Sequence, residues 1–149
     1  MFTIYLAHPM TGLTTEEVTD YYSEIKRILA DMGYCVLHPM VAKGVDLNGV
    51  IRPTGEVSSV CNKHAVIERD SWMVNQADVV YLDLSGSSQI SIGCMMELAW
   101  SYILKKHTIV VMPKGNIHEH YFSLEASDII FETNTEAINY LKKLAMQEI

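Results

Sequence analysis

Short apolar runs alternate along this chain with longer stretches of helical period. The runs cover residues 2–7, 34–37, 79–84, 108–112 and, most weakly, 129–131. Between the first two, Thr14 or Thr15 caps a helix whose first turn holds Glu16 and Glu17, where carboxylates suit the dipole. Tyr22, Ile25, Ile28, Leu29 and Met32 then recur at three- and four-residue steps, one apolar helical face that Gly33 ends. Residues 62–76 read as a second helix with Val66, Trp72 and Met73 inward, 91–104 as a third and 135–145 as a closing one. Strands alternating with helices favour an α/β fold: an open parallel sheet with helices on both faces. Right-handed crossovers bring the loops after strands 1, 2 and 3 to the carboxyl edge, where such sheets bind ligands.

The 149 residues suit one domain, 1–149. Eleven Lys and Arg against 18 Asp and Glu leave a formal charge of −7, which argues against a nucleic acid polymer as partner. A single small anion is still allowed, because it needs only a local set of donors. No apolar run approaches the ~18 residues of a membrane span, so no membrane role is expected. The opening MFTIYLAHPM lacks a basic segment and reads as a first strand rather than a signal peptide. Cys35, Cys61 and Cys94 are scattered and odd in number, which suits reduced thiols in the cytoplasm. Residues 40–60 carry Gly44, Gly49, Pro53 and Gly55 without a period. So long an unstructured stretch suggests a functional loop or lid.

Glu97 carries the most weight. It sits in Met95-Met96-Glu97-Leu98-Ala99-Trp100, where burying a carboxylate is costly unless it is paired. A solvent-facing position on that helix is the alternative. Asp70, in Glu68-Arg69-Asp70-Ser71-Trp72, reads from composition as part of a solvated face. Asp78 is a strand-entry residue. Asp83 closes a buried strand and points toward a site. The loop holding His8, Met10, Thr11 and Gly12 precedes a helix N-terminus that suits an anion, although it is neither of the familiar glycine-rich phosphate loops. His118-Glu119-His120 would align two imidazoles if it were a strand, but no cysteine pair or H-E-x-x-H pattern accompanies it, and no metal is expected.

Four segments resemble the nucleoside 2-deoxyribosyltransferase family and its relatives, the (deoxy)nucleoside 5′-monophosphate N-glycosidases. They are Ile4-Tyr5-Leu6-Ala7 with the Gly12 turn; Glu68-Arg69-Asp70 through Gln76-Ala77-Asp78-Val79-Val80; Ser91-Ile92-Gly93 through Met96-Glu97-Leu98-Ala99; and Asn116-Ile117-His118-Glu119-His120 with Glu125-Ala126-Ser127-Asp128 and Glu136-Ala137-Ile138. The resemblance implies a flavodoxin-like, five-stranded parallel sheet of order 2-1-3-4-5. It implies Glu97 as nucleophile, Asp70 as the acid near the leaving base, and Tyr5 as the donor orienting Glu97. A carboxylate can stabilise oxocarbenium character at C1′ or form a glycosyl-enzyme ester, and the departing base needs a proton or a hydrogen bond. No cofactor enters this chemistry.

Six residues before the nucleophile, family members acting on free nucleosides carry Asp and monophosphate hydrolases carry Ser. Here it is Ser91, whose neutral hydroxyl at a helix N-terminus accepts a 5′-phosphate. The resemblance thus favours a nucleotide N-hydrolase over a base-exchanging transferase. The strand-1 loop departs from the family, with His8 where many relatives have Gly and Thr11 where some have Arg. Met95 replaces a small Gly. His8, Met10, Thr11, Gly12, Asp83, Ser91, Gly93, His118 and His120 form the expected substrate-binding set. The resemblance also implies a homodimer or larger homo-oligomer, with the segment of His118, His120 and Phe122 completing a neighbour's site. The alternatives are a nucleotide-sensing module, which need not keep Tyr5, Asp70 and Glu97 together, and an NAD-cleaving glycohydrolase, which needs room for a dinucleotide.

Overall fold

The computed structural model describes residues 1–41 and 62–147. From residue 42 onward, the expected lid over 40–60 lies outside the described residues, as does Cys61. The elements follow in the order β1 (Thr3–Ala7), α1 (Thr15–Asp31), β2 (Cys35–Leu37), α2 (Lys63–Gln76), β3 (Val79–Asp83), α3 (Ile92–Ile103), β4 (His107–Val111), α4 (Tyr121–Glu125), β5 (Ile129–Phe131) and α5 (Asn134–Met146). All five strands are parallel, in the order β2-β1-β3-β4-β5. This is the flavodoxin-like arrangement expected from the sequence. The chain reverses its direction of travel across the sheet between β1 and β3, and ligands bind at such a switch point.

Strand alternation sorts the core into two layers. Ile4, Leu6, Val79, Tyr81, Ile109 and Val111 face Val18, Tyr22, Ile25 and Leu29 of α1 and Ala137 and Leu141 of α5. Tyr5, Ala7, Val80, Leu82 and Val110 face Met73 and Val74 of α2 and Cys94 and Leu98 of α3. β3 is buried throughout because both faces are covered. The helices start on local signals. Thr14 and Thr133 form capping boxes with Glu17 and Glu136, while Asn62 and Ser91 cap α2 and α3. No helix among the described residues is long and apolar enough to cross a membrane.

The structure corrects two expectations, both on α2, and answers the condition set on His118 and His120. Trp72 is 57% exposed rather than inward. The buried stripe of α2 is instead Asp70, Met73 and Val74, continued by Ala77 at its C-cap. Val66 is only half-buried. His118 and His120 do not lie on a strand: they precede α4, a five-residue helix with no sequence-level expectation, too short to display a period. Its signal is local, since the Ser123 hydroxyl donates to the carbonyls of His118 and His120.

Leu82 lies fully buried at the centre of the second layer. Leu82→Ala is expected to lower unfolding free energy by about 2–5 kcal/mol, the usual cost of a large-to-small change in a packed core. Urea unfolding followed by circular dichroism measures it.

Candidate active site

The period of each element decides which carboxylates turn inward. On α3, Cys94, Glu97, Leu98 and Ser101 share the buried face, so Glu97 meets the sheet although it is charged. On α2, the 70, 73, 74, 77 spacing does the same for Asp70. Glu97 is 6% exposed and Asp70 8%. Both therefore leave the solvated positions that composition had suggested as alternatives. Tyr5 occupies the middle of β1, beside Val80 of β3, and alternation aims its side chain at the α2–α3 layer.

Tyr5 and Glu97 meet. The Tyr5 hydroxyl donates to Glu97 Oε1 at 2.6 Å in a buried hydrogen bond. That length belongs to charge-assisted O–H···O⁻ contacts. Burial holds the Tyr5 hydroxyl well above its ordinary pKa, and the Glu97 and Asp70 carboxylates push the same way. Tyr5 therefore remains a donor across the physiological range. The Tyr22 hydroxyl is also raised, by burial first, then by Glu97 and Cys94 and to a lesser degree by Asp70. Burial and Glu97 likewise raise the Cys94 thiol. Both carboxylates thus lie within electrostatic reach of the same buried tyrosines. Asp70 also faces Arg69, Oδ1 to Nε at 3.9 Å.

Asp83 joins a second polar cluster on the opposite layer. Its Oδ2 accepts from Tyr21 (2.7 Å) and from the Asn134 amide (2.8 Å), and its Oδ1 from the Ser85 N–H (2.9 Å) and hydroxyl (2.6 Å). Tyr81 also donates to Asn134. Asp83 therefore ties α1, the β3–α3 loop and α5 together at the carboxyl edge. His8 lies against it, with Nδ1 3.1 Å from the Asp83 carbonyl oxygen and the ring stacked on Tyr21 at 3.9 Å. Asp78 accepts from the Thr3 N–H, the strand-entry role expected of it.

The remaining expected site residues fall at the same edge. The Thr11 carbonyl accepts from Gln89 Nε2 at 3.1 Å, joining the β1 loop to the β3–α3 loop. Gly12 holds φ +90 there, and a Cβ would meet the Gln89 amide at 3.4 Å. Met10 packs onto the α1 layer. Ser91 caps α3, accepting from the Cys94 N–H at 3.3 Å, and Gly93 is exposed in the first turn. His118 is buried with both ring nitrogens engaged: Nε2 accepts from the Ser91 N–H at 2.8 Å and Nδ1 donates to Asn116 Oδ1 at 2.9 Å. His120 is exposed and caps α4. Tyr21, Tyr22, Cys94, Gln89, Asn116 and Asn134 complete these networks without having been singled out in the sequence. Tyr22 shows in the sequence as an inward position on α1 and Asn116 as the opening of a family-like segment, but the polar roles of both are not legible from periodicity.

A buried carboxylate hydrogen-bonded by a fixed tyrosine, with a second carboxylate near the same tyrosine, can stabilise or attack a cationic carbon while the partner serves a leaving group. Among the described residues no group of three or more His, Cys, Asp or Glu could hold a metal. An open cleft of about 350 Å³, lined by Tyr102, Lys105, Lys106, His107, Thr108, Ala126 and Asp128, lies at the amino end of β4, away from these carboxylates.

A family profile described as nucleoside 2-deoxyribosyltransferase matches residues 4–141. Among solved structures, a 2-deoxyribosyltransferase from the psychrotolerant bacterium Bacillus psychrosaccharolyticus is similar at 25% identity and TM-score 0.69, over 99% of this chain and 96% of that one. A 2-deoxyribosyltransferase from Leishmania mexicana shares 16% identity at TM-score 0.64, over 96% and 98% of the two chains. The CMP N-glycosidase BcmB of Clostridium botulinum shares 15% at 0.57, over 97% and 98%. At their low identities, the last two show the fold alone. No curated protein matches the sequence significantly.

The buried tyrosines carry a consequence for stability. Unfolded tyrosine ionises near pH 10, whereas Tyr5, Tyr21 and Tyr22 are held well above that and Tyr34 is pushed up to about 12 by burial. Above pH 10 the unfolded chain loses protons that the folded chain keeps, so stability present below pH 10 is lost as pH rises toward 12. Urea midpoints between pH 8 and 11.5 should fall above pH 10, and less steeply in Tyr34→Phe.

Proposed function

Because the chain belongs to the nucleoside 2-deoxyribosyltransferase family, we propose that it cleaves the N-glycosidic bond of a (deoxy)nucleoside 5′-monophosphate. Glu97 attacks C1′ as the bond to the base breaks, forming a glycosyl-enzyme ester. Asp70 donates a proton or hydrogen bond to the departing base. Water then attacks C1′, loses its proton to the site, and releases Glu97 and the sugar 5-phosphate. Tyr5 keeps Glu97 aimed and charged. The single observation behind this assignment is the buried 2.6 Å hydrogen bond from Tyr5 to Glu97. A carboxylate is costly to bury, and here it comes with a fixed donor and a second carboxylate in reach.

Ser91 supports the phosphate preference. Its hydroxyl oxygen caps α3, and the first-turn amides of Ile92 and Gly93 have no partner within the helix. Met10, Thr11 and Gly12 cover the phosphate from the β1 loop, while His118 fixes the Ser91 backbone. Base exchange between nucleosides is the alternative, favoured by the 25% identity to a transferase structure. The whole of 1–149 acts as one catalytic domain, in the cytoplasm and as a homo-oligomer. Exposed Ile92, Met96 and Ile103 on α3, with Tyr121 and Phe122 on α4, supply apolar surface for a second copy, and His120 on the same segment reaches its site.

Chromatography of products from each nucleoside and each 5′-monophosphate, with and without an acceptor base, tests this. Free base from monophosphates alone is expected, abolished in Glu97→Ala and lowered on the order of 10²-fold in kcat by Tyr5→Phe. Exchange of bases between nucleosides would make the protein a transferase. Binding of nucleotides without turnover would make it a sensor.

A further inference from the structure

His8 follows β1 at the carboxyl edge of the sheet, and among the described residues one of its ring nitrogens is committed while the other is not. The Tyr22 hydroxyl accepts from the His8 N–H at 3.1 Å and also approaches the His8 carbonyl at 3.4 Å. That same hydroxyl lies within electrostatic reach of Glu97 and, more weakly, of Asp70. The imidazole is clamped. It stacks on Tyr21 at 3.9 Å with 18° between the planes. Its Nδ1 sits 3.1 Å from the Asp83 carbonyl oxygen and 3.8 Å from the Asp83 carboxylate. Both of those oxygens only accept, so in the neutral ring the proton resides on Nδ1. Burial lowers the His8 pKa more than Asp83 raises it, which favours the neutral ring near pH 7.

The clamp is itself anchored. Tyr21 and Asn134 both donate to Asp83, so α1, β3 and α5 jointly set the ring plane. Nε2 then carries a lone pair, and no described residue bonds it. The side chain remains 14% exposed. His118 offers the contrast within the same molecule, since its two nitrogens are both consumed by the fold.

We propose that His8 Nε2 is a fixed hydrogen-bond acceptor for the substrate, taking an N–H or O–H donor from the nucleotide: the exocyclic amine of its base or a hydroxyl of its sugar. The inference rests on the nucleotide substrate proposed above and adds the contact that would discriminate among nucleotides. A rigid lone pair repels a carbonyl where it would receive an amine, and a site built around such a contact disfavours analogues that lack the donor.

Nitrogen-15 NMR of the full-length protein with labelled histidines tests this without requiring turnover. His8→Gln assigns the His8 signals among the six histidines. Cytidine, uridine, deoxycytidine and deoxyuridine 5′-monophosphates are the probes. The free protein should show a protonated Nδ1 and an unprotonated Nε2, and binding should shift Nε2 toward a hydrogen-bonded value. A response to the cytidine pair only assigns the base amine. One restricted to the ribose pair assigns the 2′-hydroxyl, and an equal response to all four assigns the 3′-hydroxyl. His8→Leu should weaken binding of the responding nucleotides about tenfold, and His8→Gln, whose amide oxygen accepts, should recover it. A proton on Nε2, an Nε2 signal unmoved by all four nucleotides, or unchanged affinity in His8→Leu overturns the proposal. Because nothing here needs bond cleavage, an Nε2 response in a protein without turnover would sink the N-glycosidase assignment alone. Turnover with an unmoved Nε2 would sink only the role of His8.

Discussion

A carboxylate set against the face of a parallel sheet must be offered a donor, or it destabilises the fold that buries it. Glu97 is such a group, and the Tyr5 hydroxyl is its donor. The desolvation cost of a buried carboxylate is several kcal/mol, offset only in part by one short hydrogen bond. Tyr5 can meet Glu97 because β1 is the strand beside β3, at the sheet's switch point, and because alternation turns position 5 toward α3. Moving Tyr5 by one residue along β1 would aim it at α1 instead and remove this hydrogen bond.

The two layers divide the work. The α2–α3 layer carries the carboxylates against an otherwise apolar surface of Ala7, Val80, Leu82 and Val110. The α1–α5 layer ends in hydrogen bonds around Asp83, which hold the β3–α3 loop and His8 in place. The catalytic carboxylates proposed here need a dry, low-dielectric surround, where interactions are stronger than in water. The loops need directional anchors instead, because they lie at the edge of the sheet, where apolar packing runs out. Tyr22 links the two, with its ring in the α1 layer and its hydroxyl on the His8 backbone, within electrostatic reach of the carboxylates.

Much of this was legible from residues alone. The alternation of apolar runs with helical periods specified the strands to within a residue or two at each end. Glu97 drew notice because an acid amid Met95, Met96, Leu98 and Ala99 has few places to go. Asp70 was harder to read. Taking Trp72 as inward rotates α2 by enough to turn Asp70 to solvent, whereas the stripe of Met73, Val74 and Ala77 places it inward. Trp72 stays exposed because an aromatic ring beside a buried stripe carries no label saying which side it takes. α4 escaped notice because five residues make little more than one turn, and its start depends on hydrogen bonds among His118, His120 and Ser123. The family resemblance supplied the roles of Tyr5, Asp70 and Glu97 and the order 2-1-3-4-5. Periodicity supplied only that the sheet is open and parallel.

The sequence by itself determined the succession of elements, a threonine cap at 14 or 15 for α1, the helix starts near Asn62 and Ser91, and the candidacy of Glu97. Each of these depends on near neighbours along the chain, within a turn of helix or a strand's alternation. Only the tertiary structure decided that Tyr5, 92 residues from Glu97, is its donor, that Asp83 serves as an anchor among α1, α5 and the β3–α3 loop, and that His118 is consumed by the start of α3. A hydrogen bond is satisfied by whichever group the packing brings within about 3 Å. Residues separated by half the chain acquire that proximity through the order of strands in the sheet and the side of the sheet on which each helix lies.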